Sequence, residues 1–146
     1  ISIFVFRGAE LLLQRRAADK YHSAGLWANT CCSHPYWGER VETCAMRRLD
    51  EELGMRLPLR AAGSLDYIAD VGRGLVENER VHCFVGDYPR DAPGIAPNPH
   101  EVADIRWMSV SVLRRDIAAE PAIYAPWLRI YLERAQETGI ERLLPQ

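Results

Sequence analysis

The stretch Glu39–Gly54, ERVETCAMRRLDEELG, carries most of the fold information in this chain. Val41, Ala45, Leu49 and Leu53 recur every four residues, so on a helix they share one apolar face. Gly54 follows as a stop, because glycine accepts the left-handed backbone that ends helices. Arg47 and Arg48 precede Glu51 and Glu52 by four residues on the flanks of that stripe. The spacing predicts a helix over Glu39–Leu53 with one face on a core. Upstream, Arg15–Gly38 has no period and is rich in aromatic, Cys and His residues. An irregular run of that length in a compact domain is usually functional. Before it, Ile1–Phe6 and Glu10–Gln14 are apolar runs around RGAE, which predicts a hairpin. Downstream, Leu65–Val71 and Leu75–Tyr88 alternate as strands around GRG, and DAPGIAPNP is a proline-rich surface loop. Glu101–Met108 follows as a further strand. Ser109 caps a short helix through Ile117, and Pro126 opens a last helix carrying Trp127, Ile130 and Tyr131. The pattern is an α/β (α+β) domain, a mixed β-sheet flanked by helices, over residues 1–146.

Composition narrows the class. The chain has 146 residues, 48% hydrophobic and 26% charged, with net charge -2, an ordinary globular balance. No apolar run approaches the roughly 18 residues of a membrane span, and there is no basic excess of the kind nucleic-acid binders carry. That balance leaves room for a small anionic substrate. A few local Arg and Lys suffice for one. The four cysteines form no spaced framework, which reads as free thiols in a reducing, cytoplasmic compartment. The opening ISIFVF lacks Met and resembles the interior of a strand, so a segment upstream of Ile1 is expected.

Four clusters can carry chemistry. In NTCCSHP (Asn29–Pro35), the Cys32 thiol and the His34 imidazole can converge on one site, Cys32 as nucleophile or acid/base. Alternatively, Cys31 and Cys32 are small buried hydrophobes. In VENERV (Val76–Val81), Glu77 and Glu79 share a strand face that continues into Val81, Cys83 and Val85. Two carboxylates on a core-facing side need a cation or a shared proton, unless that edge is solvated. With His34 they make an N/O donor set for a divalent metal, if the CSHP loop packs over that strand face. The helix-flank carboxylates can hold Mg²⁺ near a phosphate or form surface salt bridges. Arg15, Arg16 and Lys20 in RRAADK can bind a diphosphate or simply face solvent.

Taken together, LLLQRR…GLWANTCCSHP, RRLDEELGM, GLVENERV and APW resemble the type I isopentenyl diphosphate isomerases, from about Leu11 to Trp127. The helix also resembles a degenerate Nudix box, with Ser33 in place of the first Gly and Arg48 in place of a metal-binding Glu. That second change shifts the expectation from hydrolysis to isomerisation on a Nudix-like fold. The resemblance implies that Cys32 and Glu79 are the acid/base pair, with Tyr67 beside Glu79. It implies His34, Glu77 and Glu79 as ligands of a divalent metal (Mn²⁺, Mg²⁺ or Zn²⁺). Glu52 and the Cys32 carbonyl would help hold a Mg²⁺. Arg16, Lys20 and Arg48 would bind the diphosphate of a prenyl substrate, and Trp127 would cover its hydrocarbon. The family's two further histidine ligands would lie upstream of the first strand; His22, His82 and His100 match neither, and His22 reads as a loop or surface residue. A Nudix-type pyrophosphohydrolase and a non-catalytic metal-dependent domain are the competing expectations.

Overall fold

The computed structural model describes residues 1–145. Its centre is β1 (Ser2–Arg7), whose first five residues are all buried. Successive strand side chains point to opposite faces, so Ile1, Ile3 and Val5 enter one apolar cluster while Phe4 and Phe6 enter another. A strand apolar on both faces belongs inside a sheet covered on both sides. β2 (Glu10–Arg16), the short β3 (Trp27–Ala28) and β4 (Cys31–Cys32), β5 (Arg60–Gly72), β6 (Leu75–Asp87) and β7 (Val102–Ser109) complete the sheet. The order is β3-β2-β1-β6-β5, with β4 on β1 and β7 on β2. β1 runs parallel to β6 and antiparallel to β2, which makes the sheet mixed.

On one face lies α1 (Val41–Leu53), which buries Cys44, Ala45, Leu49 and Leu53. Gly54 ends it at φ 62. Its start is two residues later than the periodicity predicts. The Glu39 carboxylate is taken instead by Arg47, at 2.8 Å to both Nε and Nη2, and by the Tyr36 amide at 3.1 Å. The other face carries α2 (Val110–Ala119), α3 (Pro126–Glu133) and α4 (Ala135–Thr138). Ser109 caps α2 by accepting from the Val112 amide, as expected.

Two elements differ from the sequence reading. The β1–β2 hairpin pairs only near its turn, Phe6 with Leu11 and Arg7 with Glu10. Beyond that the strands part, and the irregular run supplies β3 to β2 and β4 to β1. The gap is satisfied by side chains: Thr30 Oγ1 accepts from the Val5 amide (2.9 Å) and donates to the Leu12 carbonyl (2.7 Å). Gln14 donates to the Thr30 carbonyl at 2.8 Å. Second, β5 starts at Arg60 rather than Leu65, with a register shift between Ala61 and Ser64. The segment AAGS has no alternation to signal a strand; Ala61 pairs with Phe84 and Ser64 with His82 opposite, and α4 packs against Gly63.

Gly63 lies in that shift. A Cβ there would fall 2.2 Å from the Glu137 carbonyl oxygen, and one on Gly139 would fall 2.7 Å from the Gly63 nitrogen. Gly63→Ala should destabilise the protein by about 1–3 kcal/mol through overpacking against backbone. Urea unfolding of Gly63→Ala that matches the parent would mean that α4 does not dock this closely.

Candidate active site

β5 and β6 form a long hairpin whose inward face reads Leu65, Tyr67, Ala69 and Val71 on one strand and Val81, Cys83 and Val85 on the other, all buried. Glu77 and Glu79 continue that same face of β6 at intermediate exposure. Tyr67 stands directly opposite Glu79 in the register. Its hydroxyl lies 3.0 Å from Glu77 Oε2 and 3.4 Å from Glu79 Oε2. The two carboxylates therefore share one hydroxyl donor across the strand pair. Burial and then the neighbouring Glu79 charge push Glu77 above the usual carboxylate range. Glu79 is held below it by His34, whose Nε2 lies 2.5 Å from Glu79 Oε1. His34 is raised in turn by the same bond.

Cys32 arrives from the other side, on β4, paired with Ser2 of β1. Its Sγ sits 3.1 Å from Asn29 Oδ1 and 3.1 Å from Ser2 Oγ, and Ser2 Oγ is 2.7 Å from the Tyr131 hydroxyl. Asn29 is fixed by donating to the Ile3 carbonyl at 3.0 Å. Burial pushes the Cys32 thiol up to about 11, with the Ser2 and Asn29 contacts pulling the other way. Behind it, Cys31 donates to Glu52 Oε2 at 2.6 Å in the core. Burial raises both groups.

Cys32, His34, Tyr67, Glu77 and Glu79 line one cleft of ≈ 140 Å³, which also receives Arg16, Lys20, Arg48, Glu52 and Trp127. Every residue to which the resemblance gives a role reaches this cleft; Arg15 and Glu51 do not, Arg15 lying by the Trp27 ring and Glu51 pairing with Arg47 and Arg48. A larger surface groove, ≈ 390 Å³ along α1, is lined mainly by apolar side chains with Arg47, Asp50 and Arg56 at its edge. Chemistry, not size, marks the site. Among the described residues, the Nε of Arg16, the Nε of Arg48 and the indole nitrogen of Trp127 are buried without an acceptor, so the cleft carries N–H donors that the protein leaves unmatched. Arg16 also stacks on Trp127, its guanidinium carbon 5.1 Å from the ring centroid.

His22 corrects the sequence reading. It is no surface residue: it is 6% exposed and lines the cleft. Its Nε2 lies 3.4 Å from Glu77 Oε1, and its ring meets Trp127 edge-on at 5.8 Å between centroids. Burial, then Arg16, lower its proton affinity. The only hint was its place in an irregular run two residues after Lys20. Tyr131, placed on the last helix by the sequence, also borders the cleft.

The metal expectation meets the geometry in part. His34, Glu77 and Glu79 do converge, and a nitrogen with two mutually repelling carboxylates suits a divalent cation chemically. Yet His34 is spent on Glu79 by a direct bond, and Glu52 is engaged by Cys31. Among the described residues no three His, Cys, Asp or Glu side chains are arranged to hold a metal ion. No helix among those residues is long and apolar enough to cross a membrane.

A NUDIX domain family model matches residues 1–128. The chain is 51% identical over 140 residues to the isopentenyl-diphosphate Delta-isomerase of Rhodobacter capsulatus, covering 94% of this chain and 78% of that protein. It is 53% identical over 133 residues to the isomerase of the same name from Cereibacter sphaeroides, covering 90% and 75%. Among solved structures, it resembles DR0079 from Deinococcus radiodurans with a TM-score of 0.70 at 20% identity, over 91% of this chain and 79% of that one. The MutT protein from Methanosarcina mazei Go1 gives 0.62 at 20% identity, over 92% of each chain. At that identity the two structures bear on the fold alone.

The thiol environment has a measurable consequence. Iodoacetamide alkylation of Cys32, followed by peptide mass spectrometry, should be slow near neutral pH. It should keep rising with pH towards the thiol's value of about 11. A plateau already reached near the ordinary cysteine value of about 8.5 would contradict the buried, neutral thiol.

Proposed function

The chain belongs to the isopentenyl-diphosphate Delta-isomerases, on a NUDIX domain, and we propose that it interconverts isopentenyl and dimethylallyl diphosphate with Cys32 and Glu79 as its proton-transfer groups. The observation that carries this reading is the meeting of a thiol and a carboxylate from different strands in one cleft with basic residues. Moving an unactivated double bond needs a proton added at one carbon and removed from another, with positioned groups within hydrogen-bond reach. Glu79, with Tyr67 beside it, protonates the alkene, and Cys32 removes the proton from the neighbouring carbon; in the reverse direction the roles exchange. The forward direction starts with the proton on Glu79 and Cys32 as thiolate, and ends with the proton on Cys32 and the charge on Glu79. The surroundings in the free chain, which raise the Cys32 thiol and lower the Glu79 carboxyl, favour the forms from which the reverse direction starts.

Arg16, Lys20 and Arg48 grip the diphosphate, which is unreactive here and serves as a handle whose binding energy positions the alkene. Trp127 lies beside the hydrocarbon, where an aromatic face stabilises a desolvated cation by about 2 kcal/mol. Arg16 and His22 meet that ring in the free chain, so they set how much of its face the substrate finds. Excluding water matters because a carbocation or an allylic diphosphate is open to hydrolysis.

His34, Glu77 and Glu79 would hold a divalent metal (Mn²⁺, Mg²⁺ or Zn²⁺), and Glu52 with the Cys32 carbonyl would hold Mg²⁺ beside the diphosphate. When bound, such cations would fix the Glu79 carboxylate, change its proton affinity and offset phosphate charge. The unpaired cysteines support a reducing compartment, the cytoplasm.

Incubation with isopentenyl diphosphate and Mg²⁺ should yield dimethylallyl diphosphate. Release of phosphate or pyrophosphate instead would point to hydrolysis and sink the assignment. Cys32→Ala and Glu79→Gln should each lower kcat by roughly 10²–10⁴-fold or more with an unchanged circular dichroism spectrum. Arg16→Ala and Arg48→Ala should instead act on KM, by the ~1.5–3 kcal/mol of a charged hydrogen bond.

A further inference from the structure

Lys20 and Arg48 reach the cleft from different elements, the irregular run after β2 and the helix α1. One residue outside the mechanism above joins them. Glu101 forms an ion pair with Lys20 through Oε2, and its Oε1 lies 3.5 Å from Arg48 Nη2. The three side chains are only 18–23% exposed. The backbone around Glu101 is tied to both partners' elements. Its carbonyl accepts from the Ala17 amide at 3.1 Å, three residues before Lys20. Its amide donates to the Asn98 carbonyl at 2.9 Å, while the Asn98 amide donates to the Glu52 carbonyl at 2.8 Å, one turn after Arg48. Glu101 thus sits at a fixed point between the loop that carries one cation and the helix that carries the other. Arg48 has further carboxylates at hand, Glu51 at 2.7 Å and Glu52 at 3.8 Å. Lys20 has no second ion-pair partner among the described residues.

We propose that Glu101 is a positioning residue for the diphosphate: its carboxylate holds the Lys20 ammonium and the Arg48 guanidinium together so that both are in place when the anion arrives. This rests on the isomerase reading for the identity of the substrate, but not for the binding of the anion itself. Two cations brought into a partly buried cleft repel each other and are drawn back towards water. A carboxylate between them offsets that repulsion. It also orders a lysine side chain that is otherwise rich in rotamers. An opposing effect exists, since Glu101 also repels the incoming diphosphate. Ordering outweighs it, because without Glu101 the Lys20 side chain has nothing to hold it. Preorganisation of this kind appears in ground-state affinity rather than in the proton transfers.

The test uses inorganic pyrophosphate as the probe, titrated with Mg²⁺ present into the intact chain by calorimetry, beside steady-state kinetics with isopentenyl diphosphate. Glu101→Gln, which keeps the shape and removes the charge, should weaken pyrophosphate binding by roughly 5- to 30-fold and raise KM in parallel, with kcat within about threefold. Glu101→Asp should recover part of the affinity. In a Lys20→Met background, Glu101→Gln should have a much smaller effect, because the residue it orders is gone. Tighter pyrophosphate binding in Glu101→Gln would show that Glu101 competes with the anion, and would overturn the proposal. So would unchanged affinity, full additivity with Lys20→Met, or a fall in kcat at constant affinity. Should Glu101→Gln fail to fold, the Glu101→Asp comparison carries the same outcomes. If the parent binds pyrophosphate but does not isomerise, the function assigned above fails while the binding test stands.

Discussion

The parting of β1 from β2 is the constraint on which the rest of the molecule depends. Two antiparallel strands that separate after two residue pairs leave a row of unpaired amides and carbonyls between them. Buried backbone groups must find partners, and here the segment Trp27–Cys32 enters the gap and provides them. Thr30 bridges the two strands with one hydroxyl, and Asn29 and Gln14 close the remaining gaps. Because Asn29 and Thr30 are completely buried, the loop that carries Cys32 is as fixed as a strand. A thiol that must meet a substrate carbon needs such a mount, since small misplacements cost large factors in rate.

The second requirement is electrostatic. β6 keeps one side chain in two facing inward along its length, yet the inward set changes from Val, Cys and Val to two glutamates near the hairpin tip. Those carboxylates are too close to be equally charged at no cost. The structure separates them by environment: His34 stabilises the charge on Glu79, while burial and that charge lift Glu77. Across the cleft the thiol remains neutral. Acid, base and neighbour are thus distinguished by surroundings rather than by residue type, which is how tuned acid/base pairs generally arise. At the basic end, Glu101 lies between Lys20 and Arg48, and Glu52 lies beside Arg48.

Much of this was legible along the chain. The four-residue spacing from Val41 to Leu53, with Gly54 behind it, marked α1 to within two residues. The alternation in LDYIADV and VENERVHCFV marked the long hairpin and showed that Glu77 and Glu79 share the core-facing side. Ser109 before an apolar run marked a helix cap. These signals are local: they depend on residues within one turn or one strand, and neighbours in sequence supply the relevant contacts. The motifs around Cys32 and Glu79 pointed, through their resemblance to a known family, to side chains that the structure brings to one cleft.

Other features rest on partners far away in sequence. Nothing in ISIFVF says that β1 runs parallel to β6, and nothing in AAGS says strand; a close approach by the backbone of α4 decides that Gly63 must be a glycine. His22 has no periodic neighbours, and only the folding of its loop against Trp127 and Glu77 buries it. Glu101 lies 81 residues from Lys20 and 53 from Arg48, so no window on the chain could pair them. The sequence by itself determined which segments are helical or extended, which faces are apolar and which side chains can do acid/base chemistry, since propensity and period act over a few residues. Only the tertiary structure decided which charges meet, which carboxylate holds a proton more tightly than the other and which loop is rigid, because those depend on burial and on distances between segments that the linear chain does not encode locally.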